Sequence, residues 1–129
     1  MGDEGAMTTR YTYPQAQWDT AKEEMGQVLI ARASLRGMIP YSELVRQIQT
    51  IHLEPDSFAF HAMLCEISTD EDEAGRGMLS VIVVHKDGDM QPGPGFFDLA
   101  KRLGRDTSDT LKCWVDELHT VHAAWSQGT

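Results

Sequence analysis

Two histidines near the C-terminus have the spacing of a metal-binding pair. His119 and His122 lie three residues apart in a segment with helical periodicity, so both imidazoles could reach one ion. No acid or cysteine follows at the position that would complete the site, although Asp116 lies one turn before His119. We therefore expect a packed or half-exposed pair of histidines, with no metal and no cofactor.

A second pattern resembles the active site of nucleases that combine acids with a lysine on a strand. Pro55-Asp56 and Lys86 provide part of it. Val84, however, stands two residues before the lysine, where a carboxylate would have to hold Mg²⁺. The pattern is incomplete, and His85 and Lys86 are better interpreted as polar residues at the end of a strand.

The other reactive side chains lack partners at useful spacing. Cys65 and Cys113 lie among apolar residues at helical spacing, which predicts buried free thiols. His61 is expected to be a hydrogen-bonded residue at the edge of the core. Gly93-Pro94-Gly95 lacks the pattern of a phosphate-binding loop. The acidic run 70–73 could hold a metal or mimic DNA phosphate, but a solvated helix start is favoured. The sequence thus predicts no enzyme.

Composition restricts the classes of partner. The 129 residues contain 11 Lys and Arg against 20 Asp and Glu, a net charge of -9 that repels nucleic acid and anionic membranes on average. No apolar run approaches the roughly 20 residues of a membrane span, and no secretory leader is evident. We expect a cytoplasmic protein with a mobile tail over residues 1–12 and a single domain over residues 13–126.

Periodic apolar residues predict three helices in the first half of the chain. The first runs from Gln15 to about Ser34, the second follows Pro40 with Ser42 as its N-cap, and the third begins at Asp56 or Ser57. The residues expected to face inward are Trp18, Ala21, Met25, Val28, Leu29 and Ala33, then Leu44, Val45, Ile48 and Ile51, then Phe60, Met63, Leu64 and Ile67. A separate acidic turn of helix, capped by Ser68 or Thr69, is expected next.

The second half of the chain predicts a β-hairpin and two further helices. The run 78–86, "MLSVIVVHK", favours a long strand, and the Asp-Gly after it favours a tight turn into a short return strand near residues 90–91. "PGPG" then forms an irregular clasp that aims the helix "FFDLAKRLGR", with Phe96 inward and Phe97 near the surface. Thr107 or Ser108 is expected to cap the last helix. The residues of this helix expected to face inward are Leu111, Trp114 or Val115, Leu118, Val121 or His122, and Trp125.

This order of elements is that of an α+β, winged-helix-like domain: three helices and a β-hairpin, with additional C-terminal helices. The short extended piece at Ile39–Pro40 is expected to add a third strand to the sheet of the wing.

Several segments resemble a recurrent set of small, uncharacterised bacterial proteins. The segments are "PYSELV", "MLSVIVVHKDG", "PGPGFFDLAKRLGR" and the closing "ELHTVHAAW". The common block has the form LSxIVVxKxxG followed by PGxGFFxLA, and the resemblance covers about residues 18–125. This resemblance implies a family but no particular activity.

The order of elements is also similar to the DNA-binding domain of alkyltransferase-like proteins. "PYSELV" resembles the start of a helix in that group, and "KDGDMQPGPGFFDLAKRL" loosely resembles its Gly-rich turn and closing helix. The alkyl-accepting PCHRV motif is absent, since "MLSVIVV" occupies its approximate place. The resemblance supports a winged helix without alkyl transfer, and fold analogy implies no further function.

The remaining question is whether the partner is a protein or DNA. In a winged helix the third helix reads bases, yet "DSFAFHAMLCEI" offers no Arg, Lys, Asn or Gln for that purpose. We therefore expect a non-catalytic binding module with a protein partner, and a DNA-binding regulator or architectural factor is the alternative. The candidate partner-binding residues are Arg32, Arg36, Arg46, Lys86, Phe97, Lys101, Arg102 and Arg105.

Overall fold

The protein is mostly helical, with short strands that pair two by two, and the predicted mixed α+β class is confirmed. The computed structural model describes residues 9–10, 13–85 and 93–126. In chain order the elements are β1 Thr9–Arg10, β2 Tyr13–Pro14, α1 Gln15–Ser34, β3 Ile39–Pro40, α2 Tyr41–Arg46, α3 Phe58–Glu73, a 3-10 helix at Leu79–Ile82, β4 Val83–Val84, α4 Pro94–Arg102 and α5 Thr110–Ser126.

Helix α1 follows the predicted bounds. One stripe at spacings of three and four is fully buried, as expected from the periodicity. Its members are Trp18, Ala21, Met25, Leu29 and Ala33. Val28, which was expected to face inward, is only partly buried and packs at the edge of the core. Its position leaves one flank of the helix apolar and open to solvent.

Helix α2 is a short element of six residues, and its predicted cap is wrong. Pro40 occupies the N-cap position and Ser42 lies inside the first turn, without a capping hydrogen bond from a side chain. The predicted inward residues are nevertheless buried: Leu44, Val45, Ile48 and Ile51. A carboxylate of α1 closes the turn after the helix, because Glu24 accepts hydrogen bonds from the amides of Gln49 and Thr50.

Helix α3 confirms one predicted cap and corrects another. The Ser57 hydroxyl accepts a hydrogen bond from the Phe60 amide at 3.2 Å, as expected of an N-cap. The separate acidic turn is wrong, because α3 continues without a break to Glu73. Ser68 lies buried within the helix, where it bonds to Ser80, and Thr69 donates to a carbonyl one turn back.

The predicted long strand over residues 78–86 is wrong along most of its length. Leu79–Ile82 forms a buried 3-10 helix, and only Val83–Val84 is a strand. This segment lies against α1, α3 and α5, so its apolar side chains are buried on all sides. β4 pairs in parallel with β3, while β1 and β2 form an antiparallel pair. The predicted hairpin turn and return strand lie outside the described residues.

The last helix confirms part of its predicted inward stripe, at Val121 and His122, and corrects where that stripe begins. Leu111 is exposed, and the buried residues are Cys113, Glu117, Val121 and His122. Its cap is Asp109, whose carboxylate accepts from the Lys112 amide at 3.1 Å, and not Thr107 or Ser108. Within the described ranges no helix is long and apolar enough to cross a bilayer.

Candidate binding surfaces

The two histidines of α5 do not share a site. His122 is buried and its Nε2 lies 3.1 Å from the carbonyl oxygen of Gly37, whereas His119 is exposed. In the part of the chain that the structure describes, no three His, Cys, Asp or Glu side chains come close enough to hold a metal ion. His122 therefore ties α5 to the loop after α1.

An aromatic cluster anchors the start of α4. The predicted irregular clasp is wrong at Pro94 and Gly95, which form the first turn of the helix after the N-cap Gly93. The amide of Gly93 donates to the Tyr41 hydroxyl at 3.0 Å, and the ring of His85 lies 4.9 Å from that of Tyr41. Burial raises the pKa of the Tyr41 phenol, so it stays protonated. His61, at 5.6 Å on the same ring, is held by the carbonyl of Pro55. Phe96 is buried, as expected from the helical pattern of this segment.

A small cavity beside this cluster is too small for a substrate. It measures about 40 Å³, enough for a water molecule, and includes Cys65 and Ser80 in its wall. Burial raises the pKa of the Cys65 thiol, and the nearby Arg102 only partly opposes that effect. The thiol is consequently a poor nucleophile at neutral pH.

Two of the predicted partner-binding arginines are engaged within the fold. Arg105 donates to the Glu117 carboxylate at 2.9 and 3.0 Å and reaches Asp72 at 2.6 Å. Arg32 donates to the carbonyl of Met38 at 2.7 Å and pairs with Glu43 at 3.0 Å. Both guanidinium groups mainly connect elements of this chain, which reduces the charge they offer to a partner.

The other predicted partner-binding residues fall into two separate groups. Arg36 and Arg46 are exposed near the end of α1 and on α2. Lys101 and Arg102 are exposed on α4, while Phe97 is half-buried with its ring edge-on to Phe96 at 5.1 Å. Lys86 lies outside the described residues.

An apolar groove lies beside the first group, between α1 and α2. This α1–α2 groove has a volume of about 340 Å³ and is lined by Gln27, Val28, Ala31, Arg32, Leu35 and Gln47. Leu35 is 80% exposed. Leu35 lines the groove together with Val28 and Ala31, so its exposed side chain belongs to a small apolar patch and does not stand alone on the surface.

The chain leaves α1 beside this groove in a strained conformation. The amides of Arg36 and Gly37 donate to the carbonyls of Ala33 and Arg32, each at 2.9 Å, and Arg36 has a φ of 56°. This C-terminal motif usually places glycine at the left-handed position. The chain itself uses glycine there at the ends of α3 and α4, namely Gly75 and Gly104.

A second groove lies on the opposite flank of the buried stripe of α1, against α3. This α1–α3 groove has a volume of about 290 Å³ and is lined by Asp19, Lys22, Glu23, Gly26, Ile30, Ile67, Asp70, Glu71 and Leu79. A β-carbon built on Gly26 would meet nothing within 4 Å. Glycine inside a helix costs about 0.5–1 kcal/mol relative to alanine, and no internal contact here requires it.

Neither groove was expected from the sequence. Leu35 follows Ser34, the last predicted residue of α1. The helical pattern therefore says nothing about its burial, which depends on the direction the chain takes after the helix. Gly26 carried only a weak signal, because a glycine inside a regular helical pattern is tolerated but weakens the helix.

The comparisons with known proteins leave the family open. No protein-family model matches the chain, and no curated protein or solved structure matches it at the significance required. The family resemblance based on the LSxIVVxKxxG block therefore stays a prediction.

Proposed function

We propose that this chain is a non-catalytic, cytoplasmic bacterial binding module of winged-helix-like organisation, and that its partner is a protein. The α1–α2 groove is the proposed binding surface. The observation that carries the proposal is the exposed Leu35 next to Arg36, whose backbone is left-handed.

The organisation of the elements supports the winged-helix-like part of the proposal. Three helices precede β4, and the strand between α1 and α2 pairs with it. The resemblance to small bacterial proteins implies a bacterial origin for the chain, but it does not identify a partner.

The chemistry of the α1–α2 groove favours an acidic segment with apolar anchors. Val28, Ala31 and Leu35 provide an apolar floor for one or two large side chains. Arg36 and Arg46 add exposed positive charge nearby. Glu43, the acid on α2, is neutralised by Arg32. The groove is therefore more positive than the protein as a whole, and acidic residues around an apolar anchor would complement it.

The DNA-binding alternative is less well supported by the charges. α3 would lie in the major groove, but its sequence has no Lys, Arg, Asn or Gln, and Asp70 and Glu73 are exposed on it. Arg32 and Arg105 are already paired with acids. DNA would have to be held by the remaining exposed cations, of which Lys101 and Arg102 are the most closely spaced.

The test compares peptide and DNA binding by fluorescence anisotropy. The probes are a labelled acidic peptide with leucine anchors, a matched peptide with serine in place of leucine, and a labelled DNA duplex. We expect the leucine peptide to bind and Leu35→Ser to weaken binding about tenfold, a loss of about 1.4 kcal/mol. Leu111→Ser, which changes a 54% exposed leucine on α5, is the matched control and should have no effect.

Two outcomes would argue against the proposal. Equal effects of the two leucine variants would show that the peptide binds elsewhere or without specificity. Duplex binding that falls steeply with salt, and that Lys101→Ala with Arg102→Ala removes, would favour the DNA-binding alternative.

A further inference from the structure

We propose that the α1–α3 groove is a second docking surface, which binds a lysine or arginine side chain from a cationic segment of a partner protein. It lies on the other flank of α1 from the α1–α2 groove and takes a partner of opposite charge. The inference does not depend on the function proposed above.

The walls of the α1–α3 groove carry more negative than positive charge. Asp19 and Glu23 are both exposed, and neither forms an ion pair among the described residues. The cation in the groove, Lys22, is already committed, since it lies 2.9 Å from Asp70 and 3.4 Å from Glu66. A cation from outside would thus meet carboxylates whose charge is not compensated locally.

The protonation of Lys22 keeps the groove negative on balance, because this cation is already paired with carboxylates of the chain. Burial alone would lower the pKa of Lys22, but hydrogen bonds and attraction from Asp70 and Glu66 raise it above its ordinary value. Lys22 therefore stays protonated and keeps its two carboxylates occupied at neutral pH. Glu23 and Asp19 are left without a cationic partner among the described residues, although Asp19 accepts a hydrogen bond from the neutral Gln15 side chain at 2.9 Å.

The floor of the groove suits the aliphatic part of a long basic side chain. Ile67 and Leu79 lie at the bottom and are almost fully buried, and Ile30 is half-buried beside them. Lysine and arginine place their methylene groups along such a surface while the charged end reaches polar groups. The volume of about 290 Å³ is at or below the small end of the range for drug-sized ligands, which favours one or two side chains over a cofactor.

Gly26 would let the cationic segment of the partner approach the backbone of α1 closely. Open space lies over its backbone, which forms part of the groove wall. A side chain at this position would fill the space that the visiting methylene groups would occupy. The absence of a β-carbon, which weakens the helix, has a clear use if the groove receives a ligand.

The experiment measures binding of a labelled peptide with lysines and leucines, together with a matched peptide in which glutamates replace the lysines. Gly26→Leu should weaken binding of the lysine peptide about tenfold or more. Gly26→Ala should weaken it less, while raising the midpoint of thermal unfolding by about 2–6 °C because alanine favours the helix. A variant that is more stable yet binds less well cannot be explained by misfolding.

Charge variants separate the groove from the general negative charge of the protein. Asp19→Asn with Glu23→Gln should weaken binding of the lysine peptide several-fold. Glu73→Gln, which removes an exposed charge on α3 outside the groove, is the matched control and should change binding little. Leu35→Ser should leave it unchanged, which keeps this test distinct from that of the α1–α2 groove.

Three results would overturn the inference. The first is binding of the lysine peptide that Gly26→Leu does not change. The second is spermidine binding with the affinity of the peptide and the same sensitivity to the variants, which would indicate a small polyamine as the occupant. The third is self-association in analytical ultracentrifugation that Gly26→Leu abolishes, which would indicate a second copy of the chain.

Discussion

The backbone conformation of Arg36 lowers the stability of the fold, whereas its charged side chain belongs to the proposed binding surface. Its φ of 56° is unfavourable for a residue with a β-carbon, and the equivalent positions after α3 and α4 are glycines. Arg36→Gly should therefore stabilise the protein by about 0.5–1 kcal/mol in urea unfolding, less than the full strain because glycine also gains entropy in the unfolded chain.

The matched variant for this prediction is Arg36→Ala, which removes the charge and keeps the β-carbon. It should give no gain in stability. If both variants were equally stable, the backbone conformation would not be the cause. If Arg36 serves the α1–α2 groove, both variants should also weaken binding of the acidic peptide.

Glu117 connects α5 to the segment before the 3-10 helix and to the loop after α4. Its carboxylate is 6% exposed, accepts from the Met78 amide at 2.7 Å and holds Arg105 through two hydrogen bonds. Glu117→Gln should destabilise the protein by about 2–4 kcal/mol in urea unfolding, because the Arg105 charge loses its main partner in a half-buried place.

A matched control for this change lies one residue earlier on the same helix. Asp116 pairs with Lys112 at 2.7 Å, with both groups largely exposed. Asp116→Asn should cost less than about 1 kcal/mol. Similar losses for Asp116→Asn and Glu117→Gln would contradict the view that burial gives the Glu117 network its importance.

Glu24 makes a contribution to stability that should depend on pH. Hydrogen bonds from the hydroxyl and amide of Thr50, and from the amide of Gln49, lower the pKa of its carboxyl below the ordinary value. A carboxyl with a lowered pKa in the folded state stabilises the protein above its unfolded pKa of about 4.3, and the effect is lost as the pH falls through the folded pKa.

The prediction from Glu24 concerns a difference between two proteins. Glu24→Gln should be less stable than the parent between about pH 6 and pH 8, and the gap should close below about pH 4. Urea unfolding across this range measures it, with Glu23→Gln as a control for the general loss of charge. A gap that stays constant at low pH would show that the carboxylate form is not what matters.

At the scale of elements, the helices could be predicted because their burial is one-sided. The buried stripe of α1 repeats at the helical period, so the spacing of Trp18, Met25 and Leu29 is enough to indicate the correct helix. The same argument predicts Phe60 and Met63 on α3. The spacing of apolar residues identifies only the buried face of a helix. It could not predict which exposed residues of two helices line a common groove.

The 3-10 helix shows where the sequence argument fails. The Val- and Ile-rich run 78–84 favours a strand by propensity, but β-propensity reflects surroundings more than an intrinsic preference. A run that is buried on every side has no alternation to reveal its period. Ser80 contributes to the outcome, because its amide and hydroxyl both bond to the Ser68 hydroxyl, at 2.9 and 2.6 Å.

Glu117 and Arg105 show a second limit at this scale. A charged residue on a helix predicts an outward face, so the expected stripe of α5 starts at Leu111 and omits Glu117, although Val121 and His122 in that stripe are buried as expected. The tertiary pairing of Glu117 with Arg105 and the hydrogen bond from the Met78 amide together make this burial tolerable. The burial of a charged residue such as Glu117 can be predicted from sequence only when its partner in the fold is already known.

The cap of α3 gives a prediction that belongs to the element. Ser57 satisfies the Phe60 amide at the start of the helix. Ser57→Ala should lower stability by about 1 kcal/mol in urea unfolding, whereas Ser57→Asp should retain most of it because aspartate is an equally good N-cap. A loss of similar size in both variants would mean that the hydroxyl has another role.

At the scale of the whole molecule, the 3-10 helix connects the elements into one core. Its four residues are buried, and it packs against α1, α3 and α5. Tryptophans report on two of those helices, since Trp18 lies on α1 and Trp114 on α5, where its indole donates to the carbonyl of Val81 at 3.2 Å. A core shared in this way should make the helices unfold together.

Ile82→Ala tests this cooperation directly. Ile82 is fully buried, so the change should cost about 2–5 kcal/mol through lost burial and the cavity that remains. Tryptophan fluorescence and far-ultraviolet circular dichroism should show the same lowered urea midpoint, because the probes follow one transition. Leu111→Ala, on the exposed side of α5, should change the free energy of unfolding by less than about 0.5 kcal/mol. If the two probes separated in Ile82→Ala, the 3-10 helix would join two units that fold independently, and the grooves on α1 would have to be studied apart from α5.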